Sequence, residues 1–363
     1  MAVKLELVLL SLVKRGGMVH YQAQLANALA ELTPTTVVVP EAVAQDYFSD
    51  AVQLIRFRSG FSRSQTRRRL LDPRLWFDLR RKLKEAGADL FHLTAPYVGN
   101  LPLLLILPSA PLFYTVHDPQ PHRGERLVVR KIDFWVRRRA AAFFVHSPAG
   151  QETLKKQGFS QPSFVVPHGD YAFFRRWARP GMRSKKIILF FGRLEPYKGL
   201  DLLLKVLPQF WKQEPQWRVV IAGAGDFQPY QKLCPRDERL ILKNRFIADE
   251  EVAPLFQEAA FVVLPYHEAT QSGIIPIAYA FAKPVVATRV GGLPEVVEDG
   301  KTGILINPSS PEELLNAMLE LARNPSLRRR LGQAAQRKME RDLSWAAIAR
   351  RHLQAYCQVL HIT

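Results

Sequence analysis

The chain has 363 residues, 47% of them hydrophobic, enough for two domains of similar size, each with its own core. Its two cysteines, Cys234 and Cys357, lie far apart without metal-ligand spacing, which argues against a disulfide framework or a zinc site and for a reducing cytoplasm. The formal charge of +18, with a pI near 10.1, suits anionic partners: nucleic acid, a membrane surface or a phosphorylated substrate.

The opening segment "MAVKLELVLLSLVKRGG" has a short apolar run and no small-residue cleavage site, so it does not read as a signal peptide. "LELVLLSL" reads as a strand, "KRGG" as a tight connection and "YQAQLANALAEL" as a helix. The runs "TTVVVP", "VQLIRF", "DLFHLTAP", "PLFYTVHD", "AAFFVHS" and "SFVVPHG" follow as further strands. "LPLLLILPSAPLFYTV", interrupted by Pro102, Pro108 and Pro111, is too short to span a membrane and reads as a loop before a buried strand. "DYAFFRRWARPGMRSKK" breaks the rhythm at 170–186 and reads as an interdomain connection.

The alternation restarts with "KIILFFGRL", a helix from Gly199, "RVVIAGAG", "RLILKNRF", the helix "DEEVAPLFQEAA", "FVVLPY", a helix from about Gly273, "PVVATRV" and "TGILINP"; helices close the chain from Pro311. Strands alternating with helices predict an α/β protein of two Rossmann-like, doubly wound domains facing a cleft. The expected boundaries are an N-terminal domain over 1–170, a connection over 171–186, a C-terminal domain over 187–340 and a final helix over 341–363 that packs back on the N-terminal domain.

In "FFGRLEPYKGLDLLLKVLPQF" a strand runs into Gly192 and Arg193, then a turn, then Lys198 at the start of a helix. That junction lies at the carboxyl end of a strand, where ligands of such sheets bind. Gly192 lets a backbone come close, Arg193 offers a planar fork for phosphate and Lys198 a point charge, a pair suited to a diphosphate. "VVIAGAGD" adds a glycine turn at Gly223, and "LPYHEATQSGII" places Glu268, Ser272 and Gly273 where an apolar helix begins, a place for phosphate oxygens or simply for an N-cap.

Together "FGRLEPYKG", "IAGAGD", "FIADEEVAPLFQEA", "VVLPYHEATQSG" and "AKPVVATRVGGLPEVVEDGKTGILI" resemble, in order, the donor-domain signatures of the retaining glycosyltransferases of family 4, proteins of the GT-B fold. "RGGMVHYQAQLANAL", "YTVHD" and "VVPHGDYAFF" are similar to that family's N-terminal loops. The resemblance implies transfer of a sugar from a nucleotide-sugar donor to a hydroxyl acceptor, with no metal and no cofactor. It implies that Arg193 and Lys198 hold the diphosphate and that Glu268 faces the donor sugar. Ser272, Gly273 and Ile274 would present backbone to the phosphates, Gly16 and Gly17 would pack near the diphosphate, His117 would contact the sugar, and the base would lie against a strand around Phe246 and Ile247. The family's second acid is missing: eight residues beyond Glu268 stands Pro276, and counting back from "KPVV" gives Ile277, so either a different contact holds the ribose, the favoured reading, or the chain is a pseudo-enzyme. His168 is expected to line the cleft; His20, His92, His146 and His267 are expected to be structural.

Half of the net charge sits between Arg56 and Lys84, where eleven Lys or Arg face Asp72 and Asp78, a net +9. Apolar residues including Trp76 lie among them, and such a mixture suits an anionic membrane surface. Arg67, Arg68, Arg69 and Trp76 are therefore expected to serve membrane or acceptor binding, which predicts a peripheral cytoplasmic-face enzyme with a lipid-linked acceptor. Nucleic-acid binding through the same stretch is the rival reading, but no nucleic-acid module is recognisable and none is expected as a partner.

Overall fold

The computed structural model describes residues 5–119, 127–269 and 271–362, and of Arg63 and Arg67 the backbone alone. The thirteen apolar runs all form strands, because strands covered on both faces need apolar side chains on both. The chain divides into two units, 1–169 together with 345–363, and 170–344.

In the first unit the strands are β1 (Leu7–Leu10), β2 (Thr35–Pro40), β3 (Val52–Phe57), β4 (Leu90–Leu93), β5 (Leu112–Val116), β6 (Ala142–Val145) and β7 (Ser163–Val165). They are parallel in the order β3-β2-β1-β4-β5-β6-β7. Leu7, Leu9, Phe113 and Phe144 point to one face, packed under the helices Gly17–Ala30 and Trp345–Leu360. Val8, Leu10, Phe91 and Tyr114 point to the other. There Trp76, Leu79 and Leu83 of the helix Pro73–Glu85, Leu103 of Asn100–Ile106 and Ile132 and Val136 of Leu127–Arg139 fill the core. Residues 100–106, expected as loop, form that helix instead, with Pro102 early enough in it to need no amide donor.

In the second unit β8 (Ile187–Phe191), β9 (Arg218–Ala222), β10 (Leu240–Lys243), β11 (Phe261–Leu264), β12 (Val285–Thr288) and β13 (Gly303–Ile306) form a parallel sheet in the order β10-β9-β8-β11-β12-β13. The segment expected as a connection starts this unit: residues 172–177 form a 3-10 turn packed on the helices Asp249–Glu258 and Ile274–Ala280, with Tyr171 and Phe174 in the core. Each sheet thus reverses its winding between two neighbouring strands, β1 and β4 in the first unit and β8 and β11 in the second, and such switch points open a crevice at the strand carboxyl ends. No helix among the described residues is long and apolar enough to cross a membrane.

Candidate functional site

At the switch point of the second unit, β8 ends in Phe191 and passes through Gly192 and Arg193 into a 3-10 turn, Pro196–Lys198, before the helix Leu200–Gln213. Gly192 and Gly223 close the neighbouring ends of β8 and β9: Gly192 N donates to Ala222 O at 2.9 Å, and a Cβ on Gly223 would fall 1.9 Å from the Gly192 carbonyl oxygen. Both also have left-handed φ, +112° and +150°, so glycine is required twice over. Lys198 is buried, its Nζ 5.5 Å from the ring centroid of Tyr266. Burial, then the nearby Arg193, lowers its pKa to about 8. Arg193 projects into solvent and makes a long contact, 3.4 Å, with Glu195.

The loop after β11 lies beside this turn. Tyr197 O accepts the amides of His267 at 2.7 Å and Glu268 at 3.4 Å. His267 Nε2 donates to Asp201 Oδ1 at 2.8 Å, while its Nδ1 is 3.3 Å from Ser309 Oγ. Burial raises the Asp201 carboxyl, but the His267 hydrogen bond and charge, Lys205 and the Leu202 amide together outweigh it and the net shift is downward. The Glu268 side chain is exposed beside these anchored neighbours.

Ser272 is not the N-cap of the helix Ile274–Ala280; Gly273 holds that position. Ser272 Oγ accepts the Ile274 amide and stands 3.3 Å from the Tyr266 hydroxyl. The Ile274 amide is therefore occupied within the unit. Pro276 and Ile277, at the place of the missing second acid, are buried. Phe246 and Ile247 do not lie in a strand: β10 stops at Lys243, and they occupy the loop before Asp249–Glu258, Phe246 exposed and Ile247 in the core.

In the first unit, Gly16 and Gly17 form the turn from β1 into the helix Gly17–Ala30, Gly16 as N-cap. His117, just beyond β5, is buried, and both its ring nitrogens are engaged: Nε2 with Thr94 O at 2.8 Å and Nδ1 with His146 Nε2 at 2.9 Å. His146 in turn reaches Val166 O at 2.9 Å. Tyr21 sits edge-on to His117, His146, His168 and Trp345. On the same side His92 bonds Tyr356 and Thr115 at 2.6 and 2.7 Å. This histidine–aromatic cluster went unread in the sequence, although His117 and His146 each follow a strand end in the same register.

The basic stretch is only partly available to a partner. Trp76 is buried against Phe57 with its indole N–H bonded to Leu70 O, so it cannot meet a membrane. Arg69 bonds Glu41 and the Arg58 carbonyl, Arg68 is exposed, and the Arg67 side chain lies outside the described residues. The helices Arg63–Leu70, Pro73–Glu85, Asn100–Ile106 and Leu127–Arg139 pack side by side in that order. Their outer surface exposes Phe61, Leu71, Phe77, Leu105, Phe134 and Trp135. Arg130, Lys131, Arg138 and Arg139 stand exposed on the last helix, which the sequence reading passed over.

A family model described as "Glycosyltransferase Family 4" matches residues 15–169, and one described as "Glycosyl transferases group 1" matches residues 185–324. Among curated relatives, a glycogen synthase of Thermus thermophilus is 35% identical over 187 residues, 50% of this chain and 40% of the relative. A D-inositol 3-phosphate glycosyltransferase of Corynebacterium efficiens is 31% identical over 177 residues, 45% and 41%. The chain thus spans about two fifths of the length of these relatives. Solved structures are alike over nearly the whole chain: sucrose-phosphate synthase of Thermosynechococcus elongatus has a TM-score of 0.76 at 20% identity, covering 98% and 99% of the two chains. Anabaena HepE in complex with UDP and glucose gives 0.74 at 20%, covering 97% and 99%. The two family models take in both units between them, and the chain belongs to the group 1, family 4 glycosyltransferases, which have the GT-B fold.

Proposed function

We propose that the chain transfers a sugar from a nucleotide-sugar donor to a hydroxyl acceptor with retention of configuration and without a metal. The observation that carries this reading is the switch point of the second unit, where Arg193 and Lys198 after β8 lie beside the loop bearing Glu268 after the neighbouring β11. There the developing charge on a departing diphosphate meets a buried ammonium and an exposed guanidinium, an electrostatic contribution to the transition state. Glu268 faces the donor sugar in this reading, the acceptor hydroxyl attacks from the face the diphosphate leaves, and the departing phosphate takes the proton. His117 positions the sugar. HepE, a structural neighbour, was solved with UDP and glucose, which favours a uridine diphosphate sugar.

The acceptor in this reading is lipid-linked, and the protein sits on an anionic membrane face. The mixed apolar and cationic surface that Leu127–Arg139 shares with the 56–84 stretch supports it, because Phe61, Phe77, Phe134 and Trp135 are exposed there among arginines and lysines. A thermal-shift panel of nucleoside diphosphates and nucleotide sugars tests the donor: UDP or UDP-glucose should raise the melting temperature, and EDTA should leave turnover unchanged. Equal indifference to every nucleotide would remove the donor assignment.

A further inference from the structure

Val116 of β5 and Val145 of β6 are paired in register, so the next residue on each strand, His117 and His146, emerge side by side. Three contacts then run in a row: Thr94 O to His117 Nε2 at 2.8 Å, His117 Nδ1 to His146 Nε2 at 2.9 Å, and His146 Nδ1 to Val166 O at 2.9 Å. Both ends of the row are carbonyl oxygens, which only accept. Three hydrogen bonds need three protons, and two neutral imidazoles carry two. The row closes only when the pair holds one extra proton as an imidazole–imidazolium couple. Without it, one of the contacts sets two lone pairs against each other and must open.

We propose that His146 is a positioning residue for His117: one proton shared between the rings holds His117 Nδ1, and loss of that proton frees it to accept from a hydroxyl. The role of the freed nitrogen rests on the reading above that His117 faces the donor sugar. The balance is fine because the surroundings oppose one another. Burial holds both rings below the usual histidine value, and His117, His168 and His352 add repulsion on His146. The Asp118 carboxylate and the Thr94 carbonyl favour the charge on His117. Arg137 reaches the Asp118 carbonyl at 3.4 Å, Tyr21 of Gly17–Ala30 lies edge-on to both rings, Trp345 lies against Tyr21, and His92 of β4 feels the charge on His117. Uptake of the extra proton therefore falls below the ordinary histidine range; the row is closed below that point and open above it.

Nitrogen-15 spectra of histidine-labelled full chain, titrated without ligand, test the shared proton. The expected result at pH 8 is a proton on His117 Nε2 and on His146 Nδ1, followed by a single proton taken up by both rings together as the pH falls. Independent titration of the two rings, or a proton on His146 Nε2 at pH 8, would overturn the proposal. His146→Asn should make His117 titrate alone and shift the acid limb of UDP-glucose turnover. Because the titration needs no donor, its failure is distinct from failure of the donor reading. A shared proton with an unmoved pH profile in His146→Asn overturns the positioning role.

Discussion

Lys198 Nζ rests against the α-carbon of Gly192: a methyl group there would lie 2.6 Å from the ammonium. Gly192→Ala therefore strains the backbone at a φ of +112° and pushes the cation out of its place. It should weaken UDP binding about as much as Lys198→Ala or Arg193→Ala, each by ~1–3 kcal/mol, the range of a charge-assisted contact. Calorimetry on the three variants checks this, and unchanged affinity in all of them would separate the diphosphate from these residues.

A lysine whose ammonium titrates near 8 makes affinity pH-dependent. In the free chain Lys198 is charged below that value and increasingly neutral above it, so UDP affinity should fall as pH rises past 8. Bound phosphate favours the charged form, so binding above pH 8 should take up a proton. Calorimetry in buffers of different ionisation enthalpy reads that uptake; its absence would place the diphosphate away from Lys198.

Glu268 is exposed while its neighbour His267 is anchored to Tyr197 and Asp201. Glu268→Gln should cut turnover by about 100-fold or more, the usual weight of a group acting at the reacting centre, and leave UDP affinity nearly intact. His267→Ala should instead loosen the loop and reduce both. Equal losses in Glu268→Gln would make this acid a structural residue.

His168 and His352 are held near 4 by burial, below the ordinary histidine value. The unfolded rings protonate first as pH falls, so stability is full above pH 6.5 and declines between 6.5 and 4, on the order of 3 kcal/mol for each ring. Amide exchange in Trp345–Leu360 should accelerate across that window, and His352→Phe should flatten the dependence. A protection profile indifferent to pH there would contradict the burial of these rings.

Two tryptophans should part company. Trp76→Ala empties a core position and should cost about 3–5 kcal/mol of stability. Trp135→Ala should leave stability near its starting value and reduce co-sedimentation with anionic vesicles, as should charge reversal of Arg138 and Arg139. Binding of the natural chain to neutral vesicles as strong as to anionic ones would point to a soluble acceptor.

The strands were readable because each is buried on both faces, so "TTVVVP" or "FVVL" leaves no polar alternation to confuse the pattern. Trp76, Leu79 and Leu83 carried the spacing of a helix core stripe and could have been assigned to the interior, but the surrounding arginines drew attention to charge. In Leu127–Arg139 the exposed Leu127, Val128, Phe134 and Trp135 blur the stripe formed by Ile132 and Val136, so no period stands out. The His117–His146 pair spans 29 positions and exists only through strand register. Gly192, Arg193 and Lys198 were legible because the strand-to-helix junction is local.

The second unit is inserted within the first. Its two ends meet, Asp170 N donating to Leu343 O at 2.8 Å, and Gly169 of the first unit lies against the indole of Trp345. During synthesis residues 1–169 emerge from the ribosome without the helix that covers one face of their sheet. Tyr21, His92 and Phe144 stay uncovered until Trp345, His352 and Tyr356 arrive. The inserted unit, continuous in sequence, can finish folding first. A nascent chain stalled before Trp345 should therefore carry a protease-resistant second unit and a first unit that still binds chaperone.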